Sequence, residues 1–155
     1  MPDANQLNLT DADRLMLKSA MDLIVPPVDD LPGAGELGLV DNAVELANRE
    51  KDFGDALLKA LSALHLDPSA RAEGGFAALD DEQRVAALKF LEASLPAVFD
   101  KLVDLVYVVY YSDERVHQRI GWRSGALQPF GWELPSFDPA ILETVSKREP
   151  FWRKA

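Results

Sequence analysis

The chain has 155 residues, of which 48% are hydrophobic and 27% charged, which is typical of one folded domain. It contains no cysteine, and this excludes disulfides, thiolate zinc sites and cysteine-ligated iron–sulfur clusters. The net charge of −10 argues against nucleic acid and anionic membranes as partners.

The first helix is predicted from its start and stop signals. Thr10 and Asp13 have the spacing of a capping box, and apolar residues then recur at helical spacing. Pro26-Pro27 ends this helix, because proline cannot donate to the hydrogen-bond ladder. A second helix is expected to begin near Glu36, after a glycine-rich turn.

Two further helices flank a predicted loop in the middle of the chain. An apolar series over residues 53–64 predicts the third helix, and Asp-Pro and Gly-Gly pairs predict a loop over 67–75. Asp80 and Gln83 form a second capping pattern, which begins the fourth helix. Its apolar face is formed by Val85, Leu88, Leu91 and Leu95.

A fifth helix begins at Pro96, which suits a first turn. Its apolar positions are Phe99, Leu102, Val103, Val106, Tyr107 and Tyr110. Their spacing favours a buried central helix, although the β-branched and aromatic run 106–111 would also suit a strand. Tyr107, Tyr110 and Tyr111 could bind a ligand, but we predict that they pack in the core. No membrane insertion is predicted, because charged residues interrupt this stretch.

Residues 113–155 differ in composition from the rest of the chain, since they contain all three tryptophans and many glycines and prolines. Only residues 138–148 predict a short helix there, capped by Asp138. The sequence therefore predicts an all-α fold in one domain over 1–155. It would be a small bundle of about five to six helices with an irregular, partner-facing C-terminal segment at 113–155.

The aromatic residues of that segment predict a protein interface. Some of the six large aromatic side chains in these 43 residues are expected to fold back and cover the helices, but six exceed the need of one small core. Because tryptophan and arginine dominate interface hot spots, a partner surface is favoured over pure self-packing. The candidate interface residues are Trp122, Arg123, Phe130, Trp132, Phe151 and Trp152.

The sequence offers no convincing cofactor site. Residues 33–38, G-A-G-E-L-G, have the G-x-G-x-x-G spacing of a dinucleotide-binding turn, but a helix precedes them and no β-α-β unit surrounds them. We interpret them as a tight helix-to-helix connection. Asp29, Asp30, Glu36 and Asp41 could gather calcium, yet they lack EF-hand spacing and favour a solvated acidic loop.

No metal or catalytic residues are predicted either. His65 and His117 lie in no ligand spacing and are expected to be structural: His65 at a helix end near the last carbonyls, His117 in a polar turn. An acid–base site remains an alternative. Its residues would be Asp113, Glu114, Arg115 and His117.

Several short motifs occur in a characteristic order. They are D-L-I-V-P at 22–26, D-D at 29–30, P-G-A-G-E-L-G at 32–38, L-D-D-E-Q at 79–83, V-Y-Y-S-D at 109–113, I-G-W at 120–122 and P-F-G-W at 129–132. Together they resemble the small subunit of gluconate 2-dehydrogenase, the "subunit 3" family, over most of the chain.

The resemblance implies a small subunit that is not an enzyme on its own. Such subunits accompany a large flavoprotein of the glucose–methanol–choline oxidoreductase type, which holds FAD and oxidises sugars, sugar acids or polyols. A cytochrome c subunit often receives the electrons. The small subunit would bind and stabilise the dehydrogenase and carry no cofactor. Alternatives are a stand-alone helical homo-oligomer and a small acid–base enzyme.

The same resemblance bears on location. Many members resemble exported proteins with a twin-arginine signal, but no Arg-Arg pair or apolar signal region follows Met1. The sequence as given therefore predicts a cytoplasmic protein, and a periplasmic one if such a signal has been removed.

Overall fold

The computed structural model describes residues 7–122 and 136–149. Within these residues it contains eight α-helices and no β-strand, which confirms the all-α fold class. The helices are α1 Asp11–Ile24, α2 Val40–Arg49, α3 Lys51–Leu66, α4 Pro68–Ala72, α5 Asp81–Ser94, α6 Pro96–Tyr111, α7 Glu114–Arg119 and α8 Ala140–Ser146. The chain divides into two compact units, residues 1–124 and 125–155.

Both predicted capping boxes are present. The Thr10 hydroxyl accepts the Asp13 N–H at 3.2 Å, and the Asp13 carboxylate accepts the Thr10 N–H at 2.9 Å. At the start of α5, the Asp80 carboxylate accepts the Gln83 N–H at 2.8 Å, and the Gln83 side chain accepts the Asp80 N–H at 3.1 Å. Each box satisfies backbone donors that a helix start leaves open, which fixes where α1 and α5 begin.

The helices differ from the prediction in three places: one begins later than expected, and two short helices were not predicted. The helix expected from Glu36 begins at Val40, because residues 33–38 form turns that pack on α1. The loop expected over 67–75 contains α4, which starts where the Asp67 carboxylate accepts the Ala70 N–H at 3.0 Å. His117 lies in α7 and not in a polar turn.

The core of the first unit lies between α3 and α6, with α1, α2 and α5 packed around them. The largest fully buried side chains are Phe76, Leu17, Met21, Leu57, Leu64, Leu79, Leu102, Leu105, Val106 and Val116. No polar or charged side chain is buried within the residues that the structure describes. Hydrophobic burial therefore stabilises this unit without internal polar networks.

The described part of the second unit contains the short helix α8, which matches the helix predicted over 138–148. The Asp138 carboxylate accepts the Ala140 N–H at 2.9 Å, but the N-cap residue is Pro139, so α8 begins one residue later than the predicted cap at Asp138 implied. Among the helices that the structure describes, none is long and apolar enough to cross a membrane.

Candidate partner-binding face

The connection between α1 and α2 is pressed tightly against the last turns of α1. The Glu36 N–H donates to the Asp22 carboxylate at 2.9 Å, and the Ala34 N–H donates to the Val25 carbonyl at 3.1 Å. A Cβ on Gly35 would lie 2.2 Å from the Lys18 carbonyl oxygen. Residues 33–38 are therefore a helix-to-helix connection, as predicted, and glycine is needed there for close approach.

Helix α7 is fastened to this connection by Arg115. The Asp113 carboxylate accepts the Arg115 N–H at 2.9 Å and its Nε–H at 2.8 Å, and Nη2 donates to the Leu37 carbonyl at 2.9 Å. The hydrogen bond from the Arg115 guanidinium holds the pKa of Asp113 below its usual range. Asp113 is thus an ionised cap and ion-pair partner, which makes it a poor proton donor at neutral pH.

The proposed acid–base set is not joined into one site. While Asp113 binds Arg115, the Nε2 atom of His117 lies 2.5 Å from the Tyr111 carbonyl oxygen. His65 does not interact with carbonyls at the end of α3 as expected: its Nε2 lies 2.7 Å from Asp13 Oδ1. The His65 contact therefore joins α3 to α1, and the His117 contact joins α7 to the end of α6.

The acidic residues considered for calcium are dispersed among other partners. The Arg119 guanidinium donates to Asp30 at 2.9 Å and to Asp29 at 3.2 Å, and Arg14 pairs with Asp41 at 2.5 Å. Within residues 7–122 and 136–149, no three His, Asp or Glu side chains are grouped to hold a metal ion. The Arg119 pairs instead tie α7 to the loop that follows α1.

An apolar depression opens beside this junction. It has a volume of about 340 Å³ and lies between the loop after α1, the end of α6, and α7. Its lining includes Val28, Leu31, Tyr111 and Ile120, and Tyr111 and Ile120 are 53% and 55% exposed. Such side chains are costly to leave in water unless a partner covers them.

A second apolar depression, of about 330 Å³, continues this surface along α6 and is lined by Tyr107 together with residues of α1 and α5. The Tyr107 and Tyr111 rings pack edge to face with centroids 6.0 Å apart, so the two depressions adjoin. We call the set Val28, Leu31, Tyr107, Tyr111 and Ile120 the tyrosine face. The core positions predicted for Tyr107 and Tyr111 are wrong, because their side chains are 45% and 53% exposed, whereas Tyr110 is buried.

Trp122 is the one predicted interface residue that the structure describes. Gly121 adopts φ +69°, and the Trp122 N–H donates to the His117 carbonyl at 2.8 Å, while the Gly121 N–H donates to Gln118 at 3.3 Å. This is a Schellman motif that ends α7 and leaves the Trp122 side chain 55% exposed. The other predicted interface residues lie outside the described residues; they are Arg123, Phe130, Trp132, Phe151 and Trp152.

Comparison with known proteins identifies the family. The family model described as gluconate 2-dehydrogenase subunit 3 matches residues 11–126. The chain belongs to this family. No curated protein matches the chain, and no solved structure does. The match covers helices α1 to α7, including the connection at 33–38 and the end of α7.

Five of the motifs that carry the family resemblance lie close together at one end of the bundle, namely those at 22–26, 29–30, 32–38, 109–113 and 120–122, whereas the motif at 129–132 lies outside the described residues. The glycine connection packs on α1 at Asp22, and the Tyr-x-Asp segment begins α7, whose Arg115 returns to the Leu37 carbonyl. Gly121 then ends α7. In this member of the gluconate 2-dehydrogenase subunit 3 family, these turns build the border of the tyrosine face.

Sequence reasoning missed the exposed tyrosines because it assigned α6 a fully buried role. Tyr107 and Tyr111 are four residues apart and share one stripe of the helix, while Leu102, Leu105, Val106 and Val109 occupy the buried side. Residues 105–111 of α6 are apolar or aromatic on all sides, and such a helical segment is expected to be buried or covered by another molecule. This pattern was the available signal for a second contact surface.

Proposed function

We propose that the chain is a non-catalytic small subunit that binds and stabilises a large FAD-dependent dehydrogenase of the glucose–methanol–choline type. Its substrate would be a sugar, a sugar acid or a polyol. The observation that carries the proposal is the family match over residues 11–126. In this proposal FAD belongs to the partner, and a cytochrome c subunit would accept electrons from the flavoprotein.

The local chemistry of the bundle supports a binding role. Of the residues considered for acid–base catalysis, Asp113 caps α7 and pairs with Arg115, and His117 contacts a backbone carbonyl. The tyrosine face, in contrast, presents aromatic and aliphatic side chains of the types that dominate protein interfaces.

Binding alone would account for stabilisation of the large subunit. A partner that binds only the folded flavoprotein raises its free energy of unfolding by about 2.7 kcal/mol when present at 100 times the Kd. The same linkage would favour the folded, flavin-competent form during assembly. A small subunit therefore needs no catalytic group to increase the amount of active enzyme.

Co-expression with a flavoprotein gene encoded beside this one tests the proposal. Affinity capture on this chain should yield a yellow complex with flavin absorbance, and the flavoprotein made alone should hold less flavin and unfold at a lower temperature. A colourless chain that purifies without a partner as a defined homo-oligomer would contradict the proposal. Sugar oxidation by the isolated chain would contradict its non-catalytic part.

A further inference from the structure

The tyrosine face has the features of a preformed docking surface. Its residues come from α6, the C-cap of α7 and the loop after α1, and polar contacts with long sequence separation hold α7 to that loop and to the connection at 33–38. Arg119 donates to Asp29 and Asp30 across the edge of the face, and Arg115 donates to the Leu37 carbonyl behind it. Because this geometry is set within the chain, little ordering would be required on binding.

The rim of the face is acidic. The Asp29 and Asp30 side chains are 73% and 79% exposed, and the single guanidinium of Arg119 balances only one of their two charges. The surrounding unit is acidic as well, with 21 acidic and 11 basic side chains in residues 7–122. A partner that approaches this surface gains electrostatically from lysine or arginine around its apolar contact.

We propose that the tyrosine face docks the large subunit, through a segment that places an aliphatic or aromatic side chain in the depression beside Tyr111 and flanks it with lysine or arginine. This proposal rests on the proposed function and adds the site and the chemistry of contact. The basic flanks would meet Asp29 and Asp30, while the apolar anchor would cover Tyr111 and Ile120.

Paired substitutions in the co-expressed complex test the apolar part. The double variant Tyr107→Ser/Tyr111→Ser removes the two exposed rings from the face. The matched control, Leu58→Ser/Phe90→Ser, removes exposed apolar side chains of α3 and α5 that line neither depression of the face. We expect the tyrosine variant to weaken affinity for the flavoprotein at least tenfold and the control to change it less than twofold. Circular dichroism would verify that both variants keep the helical content of the wild type.

The charged part has its own test. Asp29→Asn/Asp30→Asn removes the acidic rim, and asparagine tolerates the positive φ of +53° at position 29. Its control is Asp52→Asn/Asp100→Asn, which removes two acidic side chains in the first turns of α3 and α6 that line neither depression of the face. The wild-type complex should weaken as salt rises from 50 to about 500 mM, and the rim variant should bind more weakly and show a flatter salt dependence than its control.

The possible results separate the two proposals. If the wild type captures the flavoprotein and the tyrosine variant does so equally well, the docking site is wrong and the proposed function stands. If the wild type captures no flavoprotein, both proposals fail. If the tyrosine variant abolishes only self-association of the chain, the face joins copies of this chain and the docking proposal is overturned. If the rim variant shows the same salt dependence as the wild type, the proposal that lysine or arginine flanks the apolar anchor is overturned.

Discussion

Replacing Gly35 with alanine is expected to destabilise the first unit strongly. The new Cβ would lie 2.2 Å from the Lys18 carbonyl oxygen and 2.7 Å from Asp22 Oδ2, whereas ordinary contacts begin at 3.4 Å. The connection must therefore retreat from α1 by about 1.2 Å, since the Lys18 oxygen belongs to helical backbone and cannot rotate away. That movement disturbs the hydrogen bond between the Glu36 N–H and Asp22.

The two effects can be added to estimate the loss of stability. Overpacking costs about 1–3 kcal/mol, and loss of a hydrogen bond to a charged group adds about 1.5–3 kcal/mol. We therefore expect Gly35→Ala to lower the free energy of unfolding by roughly 3–5 kcal/mol. For a chain of this length, about 2–4 °C is lost per kcal/mol, so the Tm should fall by roughly 10 °C.

Gly38→Ala is the matched control for this substitution. Gly38 has φ +78°, and no atom lies within 4 Å of the position that an alanine Cβ would take, so alanine there costs only the left-handed backbone penalty of roughly 1–2 kcal/mol. Both substitutions change the unfolded chain equally, so the difference between them equals the cost of the clash at Gly35 minus the left-handed penalty at Gly38. Urea unfolding followed by circular dichroism measures it. A Gly35→Ala protein as stable as Gly38→Ala would refute the close approach of Gly35 to α1.

Three further substitutions test the end of the bundle. Gly121→Ala places a side chain at φ +69° in the Schellman motif, and it should cost about 1 kcal/mol in urea unfolding; no loss would contradict that cap. Asp113→Asn removes a carboxylate whose pKa is held low by Arg115. The ionised carboxylate contributes to the free energy of unfolding above the usual pKa of 3.8, and this contribution is lost as the pH falls through the lowered pKa. The stability difference from wild type should shrink below about pH 3.8, and a constant difference would contradict the ion pair. Trp122→Ala should weaken flavoprotein capture; unchanged capture and flavin loading would remove Trp122 from the interface.

The sequence predicted the longer helices because each carries its own local signals. Thr10 and Asp80 begin capping boxes, and the apolar spacing along α3 and α6 extends over four turns. Helix α7 was missed because six residues with one buried apolar side chain, Val116, have no measurable periodicity. Its contacts to Leu37, Asp29 and Asp30 join residues 78 to 90 positions apart, which no local pattern reveals.

The candidate site was predicted less completely than the fold. A partner surface was expected from the tryptophans, and Trp122 is exposed as that prediction requires; the interface role of all six residues stays a prediction. The tyrosine face was not foreseen, since spacing shows which residues share a stripe of α6 but not which stripe meets the other helices. Val85 and Leu95 illustrate the same limit: both belong to the apolar pattern of the fourth predicted helix and both are exposed.

The purely apolar core has a consequence for how this family can diverge. Buried leucine and methionine exchange at a cost usually below about 1.5 kcal/mol, because the exchange keeps the side-chain volume, and no buried polar network within the described residues constrains their identity. Three residues at the turns lack such substitutes. Gly35 allows the close approach to α1, Asp22 accepts the Glu36 N–H, and Gly121 adopts a positive φ. Distant family members should therefore vary in sequence within their helices while retaining their turn residues. Short turn motifs would then identify members whose overall sequence identity is low.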